Sequence, residues 1–173
     1  MKRLFLVFSI CVQLASAQKP ALVTRVIDGD TYDLFYNSKR IRVRIASIDA
    51  PELKQHYGQI VSEQVKQLLC WKMVMFDSIG KDLYGRVVGT VLFYGKRVDS
   101  LLVRNGLAWY QPAYGKDPML DKWMQLAIQE SKGLWICGVK DVCPPWLFRS
   151  YNYQNRVRYC AGCFINNQSS LKN

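Results

Sequence analysis

Two short acidic runs and the arginines between them carry the residue types that could do chemistry. The acidic runs are Asp28-Gly29-Asp30 and Asp49-Ala50-Pro51-Glu52, and Arg40, Arg42 and Arg44 lie between them. Carboxylates held in one place repel each other unless a cation or a positively charged side chain lies close by. Guanidinium groups bind phosphate well, because their planar N–H donors match pairs of phosphate oxygens. The combination predicts metal-assisted chemistry on a phosphodiester.

The positions of the carboxylates suit a hard cation. Asp28 and Asp30 bracket a glycine where the chain is expected to reverse, so both side chains can face one point. Asp49 and Glu52 bracket Pro51, which fixes the local backbone and disfavours a helix. Cations such as Ca²⁺ bind carboxylate and carbonyl oxygens and need neither histidine nor cysteine. The spacing differs from that of an EF-hand loop, so we expect a site assembled across the fold.

Each of these features also has a purely structural interpretation. Asp-Gly is common in hairpin turns, and Asp-x-Pro is common at the start of loops. A strand face rich in arginine is usually solvated. Taken one at a time, the residues leave both interpretations open.

The composition fits one globular domain with a modest tail. The chain has 173 residues, and half of them are hydrophobic, which is enough for a buried core and excludes a disordered chain. Its net charge of +11 favours polyanionic partners, either nucleic acid or an anionic membrane. A basic surface can also serve solubility alone, so charge does not choose between these interpretations.

The first 17 residues are typical of a secretory signal peptide. Lys2 and Arg3 form a charged start, a short apolar stretch follows, and Ala15-Ser16-Ala17 is a small-residue cleavage site. We expect cleavage after Ala17 and a periplasmic or secreted mature protein without stable membrane association. The alternative is an uncleaved anchor, although the apolar stretch is short for a membrane span.

The cysteines are concentrated in the tail, which we take as a separate extension over residues 137–173. Export implies an oxidising compartment, so its four cysteines are expected to form two disulfides, with three pairings open. Zinc binding is the alternative. The four tail cysteines are Cys137, Cys143, Cys160 and Cys163. Cys70 is left over and is expected to be a buried thiol.

Alternating and helical apolar patterns predict an α+β fold over residues 18–136. Strands are expected at residues 21–28, 31–36, 39–47, 73–79 and 86–93. Helices are expected at residues 58–69, at residues 98–105 and through residues 120–128. Five strands with about three helices and short turns suit a five-stranded closed barrel of the OB type.

These residues resemble the staphylococcal nuclease (thermonuclease) family from about residue 23 to residue 135. Six segments occur in the order that the family has. They are Val26-Ile27-Asp28-Gly29-Asp30-Thr31, Arg44, Ile48-Asp49-Ala50-Pro51-Glu52, Asp82-Leu83-Tyr84-Gly85-Arg86, Leu102-Val103-Arg104-Asn105-Gly106-Leu107-Ala108 and Gly133-Leu134-Trp135. The family fold is an OB barrel with helices, which agrees with the pattern of strands and helices.

The resemblance implies a role for each acidic residue. Asp30 and Asp49 correspond to carboxylate ligands of Ca²⁺, and Ala50 to a ligand through its carbonyl oxygen. Asp28 corresponds to a nearby residue bonded through water. Glu52 corresponds to the general base, or to the residue that orients the attacking water.

The resemblance also implies how the substrate is held. Arg44 and Arg86 correspond to the arginines that clamp the phosphate, and Tyr84 and Tyr114 to substrate-binding positions. Arg42 shares a face with Arg44 and could follow the nucleic acid backbone, although a solvated arginine is the alternative. The family cleaves DNA and RNA, internally and from the ends, and leaves 3′-phosphates.

This sequence departs from the family pattern at two positions that affect substrate binding. Leu83 stands where the family often has lysine, and Pro112 replaces one of a pair of tyrosines. All the residues that the resemblance assigns to catalysis and to Ca²⁺ binding are present, so we expect a Ca²⁺-dependent nuclease. We also expect a monomer. The alternatives are a single-stranded nucleic-acid-binding OB protein without activity, and an extracellular module that binds a cell-surface partner through its basic, aromatic tail.

Overall fold

A computed structural model describes residues 18–162 of the chain. The strands are β1 (Lys19–Val26), β2 (Thr31–Tyr36), β3 (Lys39–Ile45), β4 (Ile48–Asp49), β5 (Met73–Lys81), β6 (Val87–Phe93), β7 (Lys96–Arg97) and β8 (Trp109–Tyr110). The helices are α1 (Gly58–Leu69), α2 (Val98–Arg104), α3 (Pro118–Gln129), α4 (Pro145–Ser150) and α5 (Tyr153–Tyr159). Single 3₁₀ turns lie at Pro112–Tyr114, Gly133–Cys137 and Val139–Asp141.

Five strands close into a barrel. The sheet runs in the order β3-β2-β1-β5-β6-β7, and parallel pairing of β3 with β6 closes it. The β1–β2 and β2–β3 pairs are antiparallel hairpins, whereas β4 pairs separately with β8. The predicted fold class, a five-stranded OB-type barrel with helices, is confirmed.

The alternation of β3 places its apolar side chains in the barrel. Val43 and Ile45 are fully buried, while Arg42 is exposed on the other face and Arg44 is half-buried. Strand β2 pairs with this strand so that Thr31 lies opposite Arg44. The hairpin register therefore brings Arg44 next to the turn that carries the first acidic run.

Helix α1 covers one end of the barrel through an apolar stripe. Val61, Val65 and Leu69 are buried at helical spacing. Ile60 is half exposed, because it lies one position before the buried Val61. Helix α3 is capped by Asp117, whose side chain accepts N–H groups of the first turn.

The extension contains two short helices that the sequence did not predict. A disulfide between Cys143, before α4, and Cys160, directly after α5, encloses both helices. Cys137 is disulfide-bonded as well, so the tail cysteines that the structure describes do not bind zinc. Cys70 is a free thiol, as expected, but it is half-buried rather than fully buried.

Some expectations lie outside the described residues or stay untested. The signal peptide and Cys163 belong to segments outside residues 18–162. No helix between residues 18 and 162 is long and apolar enough to cross a membrane. The division into a domain at residues 18–136 and an extension at residues 137–173 stays a prediction.

Candidate active site

One cavity of about 680 Å³ collects nearly all the residues singled out from the sequence. These are Asp28, Asp30, Arg44, Asp49, Ala50, Glu52, Tyr84, Arg86 and Tyr114. Arg42 does not line it. Its guanidinium instead makes a two-pronged pair with the buried Asp33 carboxylate, at 2.7 and 3.1 Å. Arg42 therefore lies outside the residues that line the cavity and is paired with a carboxylate rather than simply solvated.

Asp30 is buried at the β1–β2 turn and bonds to neighbouring elements. Only 3% of it is exposed. One carboxylate oxygen accepts the Thr31 hydroxyl at 3.0 Å and pairs with Nη1 of Arg44. The other accepts the backbone N–H of Ala50 at 2.6 Å. Asp30 thus joins the first acidic run to the second.

Arg44 lies between the two most buried carboxylates of the cavity. Its Nη2 donates to Asp49 Oδ1 at 2.9 Å and to the Ile48 carbonyl at 3.3 Å, while Nη1 faces Asp30. Burial alone would lower the pKa of Arg44, but the charges of Asp30 and Asp49 outweigh it and raise that pKa further. One guanidinium therefore bridges the carboxylates of Asp30 and Asp49.

Asp28 lies beside this pair at the same turn. Its Oδ1 accepts the backbone N–H of Asp30 at 3.1 Å. Burial, and then the neighbouring charge of Asp30, raise the pKa of Asp28 to about 7. Positive charge brought to this end of the cavity favours the ionised form of Asp28.

Glu52 is held at the edge of the cavity by a tight turn against α1. Its N–H donates to the Gln55 side chain at 3.2 Å, and its carbonyl accepts the Gln55 N–H at 2.8 Å. A Cβ atom at Gly58 would collide with the Glu52 carbonyl oxygen, so this close approach needs glycine. The Glu52 side chain is 37% exposed and is accessible to solvent.

The turn that joins β5 and β6 forms another wall of the cavity. Asp82 Oδ1 accepts the N–H groups of Tyr84 and Arg86 at 2.9 and 3.0 Å, and Asp82 Oδ2 accepts Nε of Arg86 at 2.6 Å. The Arg86 guanidinium lies 5.4 Å from the centroid of the Tyr84 ring. Tyr84 is 85% exposed and Tyr114 is largely exposed, so both rings are accessible from solvent.

Arg149 of α4 also lines the cavity, and the sequence did not single it out. It pairs with Asp49 and Glu52 across 100 and 97 positions of the chain. No local pattern predicts a contact over such a separation. The sequence carries only an indirect signal for Arg149, namely that α4 lies between two cysteines of a basic and aromatic tail.

The donor chemistry of the cavity is that of oxygen ligands and guanidinium groups. Among residues 18–162, no group of three or more acidic, histidine or cysteine side chains has metal-binding geometry. The buried pair Asp30 and Asp49 can offer carboxylate oxygens, and Ala50 lines the same space. Such a cavity can bind a phosphodiester through arginines and activate water through Glu52.

Comparisons with known proteins show which family the chain resembles. The family model described as staphylococcal nuclease homologue matches residues 42–137. The chain is 39% identical over 128 residues to an uncharacterized endonuclease of Escherichia coli, covering 73% of this chain and 82% of that protein. It is 33% identical over 138 residues to the micrococcal nuclease of Shigella flexneri, covering 73% and 78%. An uncharacterized endonuclease of Haemophilus influenzae is 32% identical over 133 residues, covering 76% and 75%. The chain belongs to the staphylococcal nuclease family.

Proposed function

We propose that this protein is a Ca²⁺-dependent nuclease that hydrolyses phosphodiester bonds of DNA and RNA and leaves 3′-phosphate ends. The observation that carries the proposal is the convergence of two buried aspartates, Glu52 and two family-matched arginines on one cavity. Membership of a nuclease family supports the reaction class. The cation, the substrates and the ends are our inference.

The donor types of the cavity suit a hard cation. Because residues 18–162 hold no preassembled group of three such ligands, the cation would replace guanidinium contacts of Asp30 and Asp49. Asp30 and Asp49 are 3% and 1% exposed, and a single guanidinium spans them, so one positive charge can meet both. These are oxygen donors, which Ca²⁺ prefers. Asp30 and Asp49 would hold Ca²⁺ through carboxylate oxygens and Ala50 through its carbonyl, with Asp28 acting through water. When bound, the cation would supply positive charge against the phosphate.

The chain's own residues would carry the remaining steps. Arg44 and Arg86 bind the phosphate oxygens and neutralise the charge that develops on them. Glu52 accepts a proton from the attacking water, whose oxygen bonds to phosphorus while the bond from phosphorus to the 5′-oxygen breaks. The 5′-oxygen takes a proton from solvent, and the phosphate stays on the 3′-oxygen. Tyr84 and Tyr114 stack on bases at the mouth.

Hydrolysis of single-stranded DNA with Ca²⁺ or with a chelator tests the proposal. We expect cleavage with Ca²⁺, 3′-phosphate ends and no cleavage in chelator. Glu52→Gln should lower kcat by about 10²- to 10⁴-fold, the usual worth of a general base. The matched control is Glu63→Gln, an exposed α1 glutamate that pairs with Lys66, and it should keep full activity.

Two results would contradict the proposal. Full activity in chelator, or unaltered activity of Glu52→Gln, would exclude this mechanism. Salt-sensitive binding of DNA without turnover would instead favour the non-enzymatic nucleic-acid-binding protein.

We also propose that the protein is exported to the periplasm or the medium. The disulfide between Cys143 and Cys160 supports this, because disulfides persist in oxidising compartments. Sequencing of the mature N-terminus after expression in a Gram-negative host tests it. A chain that begins at Gln18 in the periplasmic fraction is expected, whereas an intact cytoplasmic chain would contradict export.

A further inference from the structure

Arg149 joins the active-site cavity to the extension. Its Nη1 donates to Asp49 Oδ1 at 3.2 Å and to Glu52 Oε1 at 2.8 Å, and its Nη2 donates to Asp49 Oδ2 at 2.8 Å. The guanidinium thus lies between the proposed cation ligand and the proposed base. This is the place where the water and the scissile phosphate would meet.

The extension fixes the position of Arg149 from several sides. Arg156 of α5 donates to the Phe148 carbonyl at 2.7 Å and to the Arg149 carbonyl at 3.5 Å. The Trp146 ring lies edge-on to Trp109, with centroids 5.4 Å apart.

The disulfide and a buried amide hold the start of the same segment. Cys143 is bonded to Cys160, and the buried side chain of Gln55 donates to the Cys143 carbonyl. Gln55 belongs to the turn that positions Glu52. Gln55 therefore connects the segment that carries Arg149 to the turn that carries Glu52, the proposed base.

The Arg149 guanidinium has donors left for a ligand. A guanidinium has five N–H groups, and the bonds to Asp49 and Glu52 use three of them. Within residues 18–162, the structure records no partner for the Nε–H or the second Nη2–H. The side chain is 42% exposed and lines the cavity.

The donor type gives the ligand class, because guanidinium N–H groups bind phosphate oxygens. Five carboxylates and three arginines line the cavity, namely Asp28, Asp30, Asp49, Glu52 and Asp82 with Arg44, Arg86 and Arg149. A polyanionic substrate meets net negative charge there, so each arginine matters for its binding. Arg44 lies between two aspartates, and Arg86 bonds to Asp82 through Nε alone. Arg149 adds two further donors without a partner among residues 18–162, at the exposed side.

We propose that Arg149 is a third substrate-binding arginine, delivered by the extension, whose guanidinium binds a phosphate oxygen of single-stranded nucleic acid in the cavity. The proposal rests on the proposed nuclease function. It also gives the extension a role, because the family model ends at residue 137 and Arg149 lies beyond it.

Binding of a short oligothymidylate in chelator, where cleavage is suppressed, tests the contact without turnover. Arg149→Gln should bind more weakly, and the slope of log affinity against log salt should fall by about 0.7, the share of one phosphate on a single strand. The control is Arg158→Gln, which removes an exposed arginine of α5 that faces the Tyr159 ring. It should leave both values unchanged.

Steady-state kinetics with Ca²⁺ give a second measurement. Arg149→Gln should lower kcat/KM by about tenfold to a hundredfold, the usual worth of a charge-assisted hydrogen bond. Arg149→Lys should recover part of this, because it keeps the charge without the planar fork. Replacing Cys143 and Cys160 by serine should weaken oligothymidylate binding in the parent protein, but not further in Arg149→Gln.

The outcomes separate the two proposals. If the parent protein neither binds nor cleaves DNA, the proposed function fails. If the parent protein does both and Arg149→Gln matches it in affinity, salt slope and kcat/KM, only the role of Arg149 fails. Tighter binding and faster cleavage by Arg149→Gln would also overturn the proposal, since Arg149 would then block Asp49 and Glu52.

Discussion

The Asp30 carboxylate accepts the backbone N–H of Ala50 at 2.6 Å, and this bond joins the β1–β2 turn to the segment that follows β4. The same carboxylate pairs with Arg44 of β3. Three separate parts of the barrel are therefore fixed to one another by one buried side chain. Since Ala50 directly follows Asp49, this bond also sets where Asp49 lies relative to Asp30.

Asp30→Asn should weaken Ca²⁺ binding at least about tenfold, because even outer-shell changes at metal sites cost 10- to 100-fold. The amide can still accept the Ala50 N–H, so the loss reflects charge more than local structure. Calorimetric titration of the folded protein with Ca²⁺ measures it. The control is Asp33→Asn, a buried aspartate of β2 that pairs with Arg42 outside the cavity. Asp33→Asn should lower Tm but keep Ca²⁺ affinity, and equal Ca²⁺ affinities in both variants would contradict a role for Asp30 as a ligand.

Arg44→Lys should lower kcat by about 10²- to 10³-fold, as loss of a preorganised donor in the transition state does. A lysine cannot span Asp30 and Asp49 as the Arg44 fork does, so both orientation and phosphate contact are lost. Arg42→Lys is the control, because Arg42 lies on the same strand and pairs with Asp33 instead. The values of kcat for Arg44→Lys and Arg42→Lys, both measured with Ca²⁺, test this prediction. A similar loss in both variants would show that β3, rather than the cavity, is affected.

The strands of the barrel were predictable from the sequence, because the alternation of apolar and polar residues within each strand is a local pattern. Alternation in β3 already separates Val43 and Ile45 from the arginine face, and Arg86 is found through the order of the family's segments. The contact of Arg149 with Glu52 was not predictable, because it depends on how a tail without strong periodicity folds back over the barrel. Likewise, alternation could not distinguish Arg42 from Arg44 by role, since only the pairing register decides which one lies beside Asp30.

Asp117→Asn should lower the free energy of unfolding by up to about 1 kcal/mol near neutral pH, the upper range for a partly exposed ion pair, because asparagine still caps α3 but loses the charged pair with Arg97. Partial burial would raise the pKa of Asp117, but its bonds to Arg97 and to the N–H groups of Leu120 and Met119 outweigh burial and lower it. A lowered folded-state pKa means that the stabilisation is complete above the unfolded value of about 4 and is lost as pH falls below it.

Urea unfolding from neutral pH to about pH 3 measures this effect, because the range extends below the ordinary aspartate pKa of about 4. The difference between the parent protein and Asp117→Asn should shrink on the acid side. Asp121→Asn, in the same first turn of α3, is the control and should change stability little. A difference that stays constant across this pH range would mean that the charge of Asp117 contributes nothing.

Gly29→Ala should destabilise the protein by about 1–3 kcal/mol, the usual cost of overpacking a core. A Cβ atom at Gly29 would lie 2.5 Å from Ala50 Cβ and 2.7 Å from Val61 Cγ1, so one of these neighbours must shift. Because Ala50 also bonds to Asp30, a shift of Ala50 should weaken Ca²⁺ binding together with stability. Gly80→Ala is the matched control, since a Cβ atom there meets nothing within 4 Å. Urea unfolding and Ca²⁺ titration of both variants should show a loss in Gly29→Ala alone, and unchanged Ca²⁺ affinity in a destabilised Gly29→Ala would separate packing at this turn from the cation site.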